Sequence, residues 1–436
     1  MTSDPVFHAT VLSNFARGFD KYARVYSKAR IPESTYPGEF YVLRRADLAI
    51  GAAKARALLD RLALPGDALI ALRTSLPSAQ LAPNLRNGLG LVWPSPAIPL
   101  DAVHELSADG ALGAAISVED AMARSLRIHE ARFAPYDALR PRSISFLPIA
   151  RGCQAACPFC FSEASVSAGQ HQGRFDAAAV DRWTHAAASR GAERAVITGG
   201  GEPTLLRWPD LLALVRACRA RFPKVVLITN GVALVQDAAD RLRELHAAGL
   251  SVLAISRHHA DERHNARIMN LPNHTPVIAA ARAAAELAGL RLRLVCVLQR
   301  GAVDSVTAID SYVRWAAAIG ADEVCFKELY VSTSYESVFH SYAANVWSAS
   351  HQVPLAHVVE WASRAGFDEA AHLPWGAPVF CGEVGARAIR VAAYTEPSLY
   401  WERASGIARS WNVMADGGCF VSLEDRRSAI DIGLAS

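Results

Sequence analysis

From about residue 143 the chain alternates short apolar runs with longer amphipathic stretches. The runs are SISFLPIA, RAVITGG, VVLITNG, SVLAIS, RLRLVCVL and EVCFKELY. None alternates strictly between apolar and polar positions, the pattern expected of parallel strands buried on both faces. Between them, RWTHAAASRG, RLRELHAAGL, ARAAAELAGL and VRWAAAIGA close at Gly191, Gly249, Gly289 and Gly320. A left-handed residue at each of these points would end a helix. In the stretch from Asp304, the residues Val306, Ile309, Val313 and Ala316 share one helical face, and Asp304 or Ser305 can cap its first turn. Six such units predict a parallel α/β domain. An open partial barrel and a doubly wound sheet both fit six units, and either places a site at the C-terminal ends of the strands.

The flanks lack this rhythm. Residues 1–140 mix a helical pattern, AAKARALLDRLAL, with a proline-rich passage, VWPSPAIPL, and an irregular join, RFAPYDALRPR. They are expected to form an accessory α+β region with no role assigned by the sequence. Residues 141–335 form the expected core. After Tyr335 the rhythm stops, and residues 336–436 are expected to form a C-terminal extension containing a β-hairpin, SWNVMADGGCFVSLE, turning at Asp416, Gly417 and Gly418.

Composition narrows the class. The 436 residues are 51% hydrophobic and 20% charged, with a formal net charge of +3, which suits a globular protein with sizeable cores. Without basic runs, the charge gives no reason to expect nucleic acid or a membrane as partner. The N-terminus has no signal-peptide core, and no stretch reaches the roughly 18 apolar residues of a membrane span. The expectation is a cytoplasmic protein. Three of the eight cysteines fall within eight residues, a pattern suited to a metal in a reducing compartment rather than to disulfides.

Those three are Cys153, Cys157 and Cys160 in RGCQAACPFCFSEAS, directly after the first strand. A structural zinc site normally closes with four protein ligands, so the spacing leaves either a zinc fragment or a cluster with an open position. A cubane held by three thiolates leaves one iron free for an exogenous ligand. After the second strand, ITGGGEPTL adds a glycine cluster and a carboxylate.

Together these segments resemble the radical S-adenosylmethionine (radical SAM) superfamily over about residues 143–330, including the aromatic Phe159 before the last cysteine. The resemblance implies a partial (β/α)6 radical SAM barrel with a four-iron four-sulfur ([4Fe-4S]) cluster on Cys153, Cys157 and Cys160, and S-adenosyl-L-methionine (SAM) on its open iron. It assigns the methionine part of SAM to Gly200, Gly201 and Glu202, with Glu202 accepting a hydrogen bond from the amino group. Thr229, Asn230 and Ser256, at the ends of the third and fourth strands, are assigned to its ribose and carboxylate. Adenine contacts are left unassigned, because LVCVLQRG departs from the family pattern.

The implied chemistry is reductive cleavage of SAM to a 5′-deoxyadenosyl radical, which abstracts hydrogen from a small metabolite or natural-product intermediate. It draws on an electron donor such as flavodoxin or ferredoxin. A ribosomally made peptide is the alternative substrate, with residues 1–140 binding it, and a non-catalytic iron-sulfur sensor or scaffold is the alternative from another class. Around the mouth, Arg257, His258, His259, Lys327, Glu328 and Tyr330 are candidates for substrate binding or proton transfer, with His258, Lys327 and Glu328 taken as catalytic. Cys218 and Cys296 read as packing residues. Cys381 and Cys419, with one more ligand such as Cys325, are candidates for a second cluster, although the dense cysteine pattern of a SPASM extension is missing.

Overall fold

The computed structural model describes residues 134–431 except 163–175, 235–236, 272–276, 332–337, 340, 374–376, 397–401 and 403–405, together with five strands between residues 40 and 116. Those five, β1 (Phe40–Arg44), β2 (Leu69–Arg73), β3 (Gly90–Trp93), β4 (Val103–Leu106) and β5 (Leu112–Ile116), form an antiparallel sheet in chain order. The helical pattern AAKARALLDRLAL lies outside the described residues.

A short strand, β6 (Arg140–Pro141), leads into the parallel core. The six apolar runs become β7 (Ile144–Leu147), β8 (Arg194–Ile197), β9 (Lys224–Thr229), β10 (Val252–Ser256), β11 (Arg291–Leu298) and β12 (Glu323–Glu328). Each is parallel to the next, and their spatial order is their chain order. A doubly wound sheet needs a reversal of strand order at its switch point. This run has none, so the partial-barrel arrangement is the one observed.

The connecting helices are α1 (Ala177–Ser189), α2 (Trp208–Arg219), α3 (Ala238–Ala247), α4 (Glu262–Met269), α5 (Val277–Ala285) and α6 (Val306–Ala318). Right-handed crossovers between successive neighbours place helices on a single face. The burial pattern agrees. Leu227, Leu253, Leu294 and Phe326 join one large core with helix residues such as Leu214, Leu245 and Ile309, whereas Val226, Val252, Ala254 and Val295 form a small cluster on the other face. The inner row runs from a charged layer at the strands' N-terminal ends, where Arg291 and Arg293 share Glu323, to polar residues at the mouth.

Local signals agree with these elements. Gly191, Gly249, Gly289 and Gly320 all take positive φ, from +88° to +107°, a region costly for residues with a Cβ. Ser305 caps α6, accepting a hydrogen bond from the Ala308 N–H at 3.2 Å.

The chain after β12 does more than trail behind the core. Helices α7 (Ala343–His351) and α8 (Ala356–Arg364) precede β13 (Asp368–His372), β14 (Pro378–Val384) and β15 (Arg387–Tyr394). Strand β15 pairs in parallel with β12, extending that edge of the sheet. The chain then crosses to the other edge. There β16 (Ile407–Ala408) pairs with β6, β17 (Trp411–Met414) pairs in parallel with β7, and β18 (Cys419–Phe420) folds back on β17 through the Asp416–Gly418 turn. The eleven-stranded sheet therefore takes both its edges from the C-terminal segment.

Substituting Ser305→Ala should cost about 1 kcal/mol, the usual worth of a helix N-cap. Ile309→Ala in the same helix, at 0% exposure, should cost about 2–5 kcal/mol. Equilibrium urea unfolding measures both, and equal losses would contradict the assigned core face.

Candidate functional site

The cluster loop leaves β7 at the strands' C-terminal end. Its Gly152 turns with φ +103°, and Cys153 and Cys160 are exposed while Cys157 is half-buried. Ala156 donates to the Met269 carbonyl at the end of α4 at 2.9 Å, and Cys160 N–H closes a turn onto the Cys157 carbonyl at 3.0 Å. Burial, with the neighbouring Cys160 and Cys153 adding to it, pushes the Cys157 thiol up to about 12. All three cysteines are free of disulfides.

The glycine segment after β8 lies against this loop. Gly201 N–H donates to the Ile149 carbonyl and Glu202 N–H to the Gly152 carbonyl, both at 2.8 Å. A Cβ on Gly201 would run into the Gly152 carbonyl oxygen, and one on Gly199 would overlap the Gly201 carbonyl oxygen. The glycines are thus required by backbone approaching backbone, with Gly199 and Gly200 facing a cavity.

Glu202 is 3% exposed. Its Oε1 accepts from Thr204 N–H (3.1 Å), Thr204 Oγ1 (2.6 Å) and Thr229 Oγ1 (2.6 Å), and its Oε2 accepts from Asn230 N–H (2.8 Å). The acceptor capacity that the sequence assigns to the SAM amino group is therefore mostly spent on protein donors. Thr229 is likewise engaged on both sides, because its hydroxyl also accepts from Gly231 N–H at 3.0 Å. Asn230, 4% exposed, directs its side-chain amide at the cluster loop. Ser256 ends β10 two residues after Ala254, on the inner row by strand alternation.

The other candidates divide. His258 is 3% exposed, and its Nδ1 accepts from Val297 N–H at 3.1 Å, which fixes the proton on Nε2. Burial, with Arg257 nearby, pushes it down to about 3, so it stays neutral. Its ring meets Phe159 edge-on, with centroids 5.1 Å apart, and it packs the cluster loop. Arg257 turns away to bond the His259 and Ala260 carbonyls at 2.8 Å, and His259 stacks on His264. Glu328 accepts from Thr395 Oγ1 at 2.9 Å. Lys327 pairs with Glu396 at 3.2 Å and lies over the Tyr394 ring, and Tyr330 donates to Glu424.

Those partners lead to groups that sequence reasoning missed. A cavity of about 230 Å³ at the mouth is walled by Phe161, Gly200, Tyr330, Glu396, Glu402, Arg409 and Glu424 among others. Arg409 pairs with Glu396 at 2.6 Å and donates its backbone N–H to Glu402. Burial pushes the Glu402 carboxyl up to about 8. Gln299, just beyond β11 and 3% exposed, has a side-chain nitrogen with no hydrogen-bond partner among the described residues.

Cys218 and Cys296 are buried in the helix-side core. Cys381 on β14 and Cys419 on β18 belong to opposite ends of the strand order. Among the described residues no three His, Cys, Asp or Glu side chains gather around a single-ion position. A cubane differs from a single ion in placing each thiolate on a separate iron.

Residues 147–301 match the family model for the radical SAM superfamily. Over those residues the chain is similar to that superfamily. The cofactors of that superfamily are a [4Fe-4S] cluster and SAM, and the residues present fit them: three unbridged thiols in one loop at the strand ends, with a glycine segment whose backbone packs directly on that loop and faces a cavity. GTP 3′,8-cyclase of Rhodococcus opacus (strain B4) is 28% identical over 190 residues, covering 43% of this chain and 52% of that protein. The chain thus matches about half the length of this curated relative. Among solved structures, Streptococcus suis SuiB bound to S-adenosylmethionine matches with a TM-score of 0.42 and 18% identity over 70% of this chain and 66% of that one. Coproporphyrinogen III oxidase (HemN) from Escherichia coli matches with 0.35 and 13% over 56% of each. Among the described residues no helix is long and apolar enough to cross a membrane.

Two outcomes follow from the site. Gly201→Ala should lower the iron bound per chain after anaerobic reconstitution, because the Cβ displaces the cluster loop at Gly152; wild-type iron content would contradict this. For Glu402, folding raises the pKa above the ordinary carboxylate value, so the folded state holds a proton that the unfolded state has released. The stability it contributes is present below about pH 4.5 and is lost as pH rises to about 8. Glu402→Gln should therefore gain stability relative to wild type across that window and stay level above it, as read by thermal melts at stepped pH.

Proposed function

We propose that the protein is an enzyme that cleaves SAM reductively and uses the resulting 5′-deoxyadenosyl radical to abstract hydrogen from a small metabolite or natural-product intermediate. The observation that carries this reading is the mouth cavity, which joins the cluster loop at Phe161 and the glycine segment at Gly200 to a polar wall of Glu396, Glu402, Arg409 and Glu424. When bound, the cluster and SAM supply the electron and the radical, and the chain supplies binding, orientation and exclusion of water. Phe161 and Phe339 pack at 4.6 Å to form the apolar side of the cavity. A cavity of this volume suits a compact substrate held by a few polar groups.

A second reading takes a ribosomally made peptide as substrate. It draws on the antiparallel sheet β1–β5, since a sheet of this kind can accept an extended peptide as an added strand. An electron donor such as flavodoxin or ferredoxin and a cytoplasmic location belong to the same proposal. A sensor role is disfavoured by the cavity that Phe161 of the cysteine loop and Gly199 and Gly200 line together.

After anaerobic reconstitution and reduction with dithionite, mass spectrometry should detect 5′-deoxyadenosine from SAM with the wild type and none with Cys157→Ala. Cluster-loaded wild type that binds SAM yet forms no 5′-deoxyadenosine, with or without a metabolite extract, would favour the sensor. Acceleration by a peptide fraction instead of a small-molecule fraction would move the substrate to the second reading.

A further inference from the structure

The Asn230 side chain is oriented by its neighbours. Val232 N–H, which can only donate, points at Oδ1 from 2.9 Å, so Nδ2 faces the other way. There it donates to the Gln154 Oε1 at 2.9 Å and to the Cys153 sulfur at 3.5 Å. The backbone of the same residue is pinned by Glu202 Oε2 at 2.8 Å. Asn230 is 4% exposed while Cys153 is exposed, so the amide reaches the sulfur from the protein side and leaves the other side open.

We propose that Asn230 is a positioning residue that raises the reduction potential of the cluster held by Cys153, Cys157 and Cys160, through an N–H···S hydrogen bond to the Cys153 sulfur. The proposal rests on the radical SAM reading of the cysteine loop and gives Asn230 a role different from the SAM contact that its place in the sequence implies. An added electron increases negative charge on the cluster sulfurs, so a donor aimed at one of them bonds more strongly in the reduced state. Low exposure of the amide strengthens the preference, because water competes poorly there. A donor that selects the reduced state makes the cluster easier to reduce, and losing it moves the potential down. Glu202 and Thr229 act one step behind, holding the β9 end that carries Asn230.

The test is a redox titration of the reconstituted protein followed by electron paramagnetic resonance (EPR), with Asn230→Asp and Asn230→Leu beside wild type. Asp keeps the acceptor for Val232 and loses the donor, and Leu keeps the approximate size. At the poise that leaves wild type half-reduced, the ratio of reduced to oxidised cluster should fall roughly fivefold or more, about the share of one net hydrogen bond. A merely structural role would change iron content or melting temperature without moving the midpoint. Variants that load iron normally and titrate at the wild-type midpoint overturn the proposal.

A measurement on the unsubstituted protein covers the case in which both variants fail to load. With 15N confined to asparagine side chains, pulsed EPR of the reduced cluster should show a 15N coupling, and its absence overturns the proposal. A wild type that binds no four-iron cluster, as reported by iron and sulfide analysis, overturns the radical SAM reading beneath it instead.

Discussion

A single buried carboxylate organises the mouth of this sheet. Burying a charge is costly unless donors replace the water it loses, and Glu202 is met by four: two from Thr204, one from Thr229 and one from the Asn230 backbone. Those bonds tie the end of β8 to the end of β9, while the backbone N–H groups of Gly201 and Glu202 tie both to the cluster loop. Three segments far apart in sequence become one rigid platform. The positions of Cys153 and Asn230, and the wall formed by Gly199 and Gly200, all depend on it.

Much of this was legible in the sequence because the signals are local. Parallel strands buried on both faces read as apolar runs, and glycines with positive φ at Gly191, Gly249, Gly289 and Gly320 mark the helix ends. The cysteine spacing and the glycine segment led to the superfamily whose model matches residues 147–301. The partners of each side chain were not legible. His258 reads as a mouth residue by its place after β10, yet Val297 N–H and Phe159 hold it in a packed, neutral state. Glu202 reads as a ligand contact, yet its partners lie in β9 and the turn after β8, and only folding brings them together.

The C-terminal segment is the larger surprise, for a physical reason. After β12 the βα rhythm ends, so periodicity carries no information about where the chain goes. In the fold it adds β15 to one edge and β17 to the other, and the stretch between them sets Glu396, Glu402 and Arg409 around the cavity. Arg409 pairs with Glu396, which also pairs with Lys327 on β12. The ion-paired cluster therefore links the two edges at the mouth. Chemistry-bearing residues that looked unrelated to the motifs become walls of the same site.

Whether the three cysteines hold a cluster that binds SAM is decided by EPR of the reduced, anaerobically reconstituted protein with and without SAM, alongside iron and sulfide analysis. The expected result is four irons per chain, a reduced four-iron signal whose g-values shift when SAM is added, and loss of both on replacing Cys153, Cys157 and Cys160 by Ala. A four-iron signal indifferent to SAM, or a single tightly held zinc in place of iron, would contradict it.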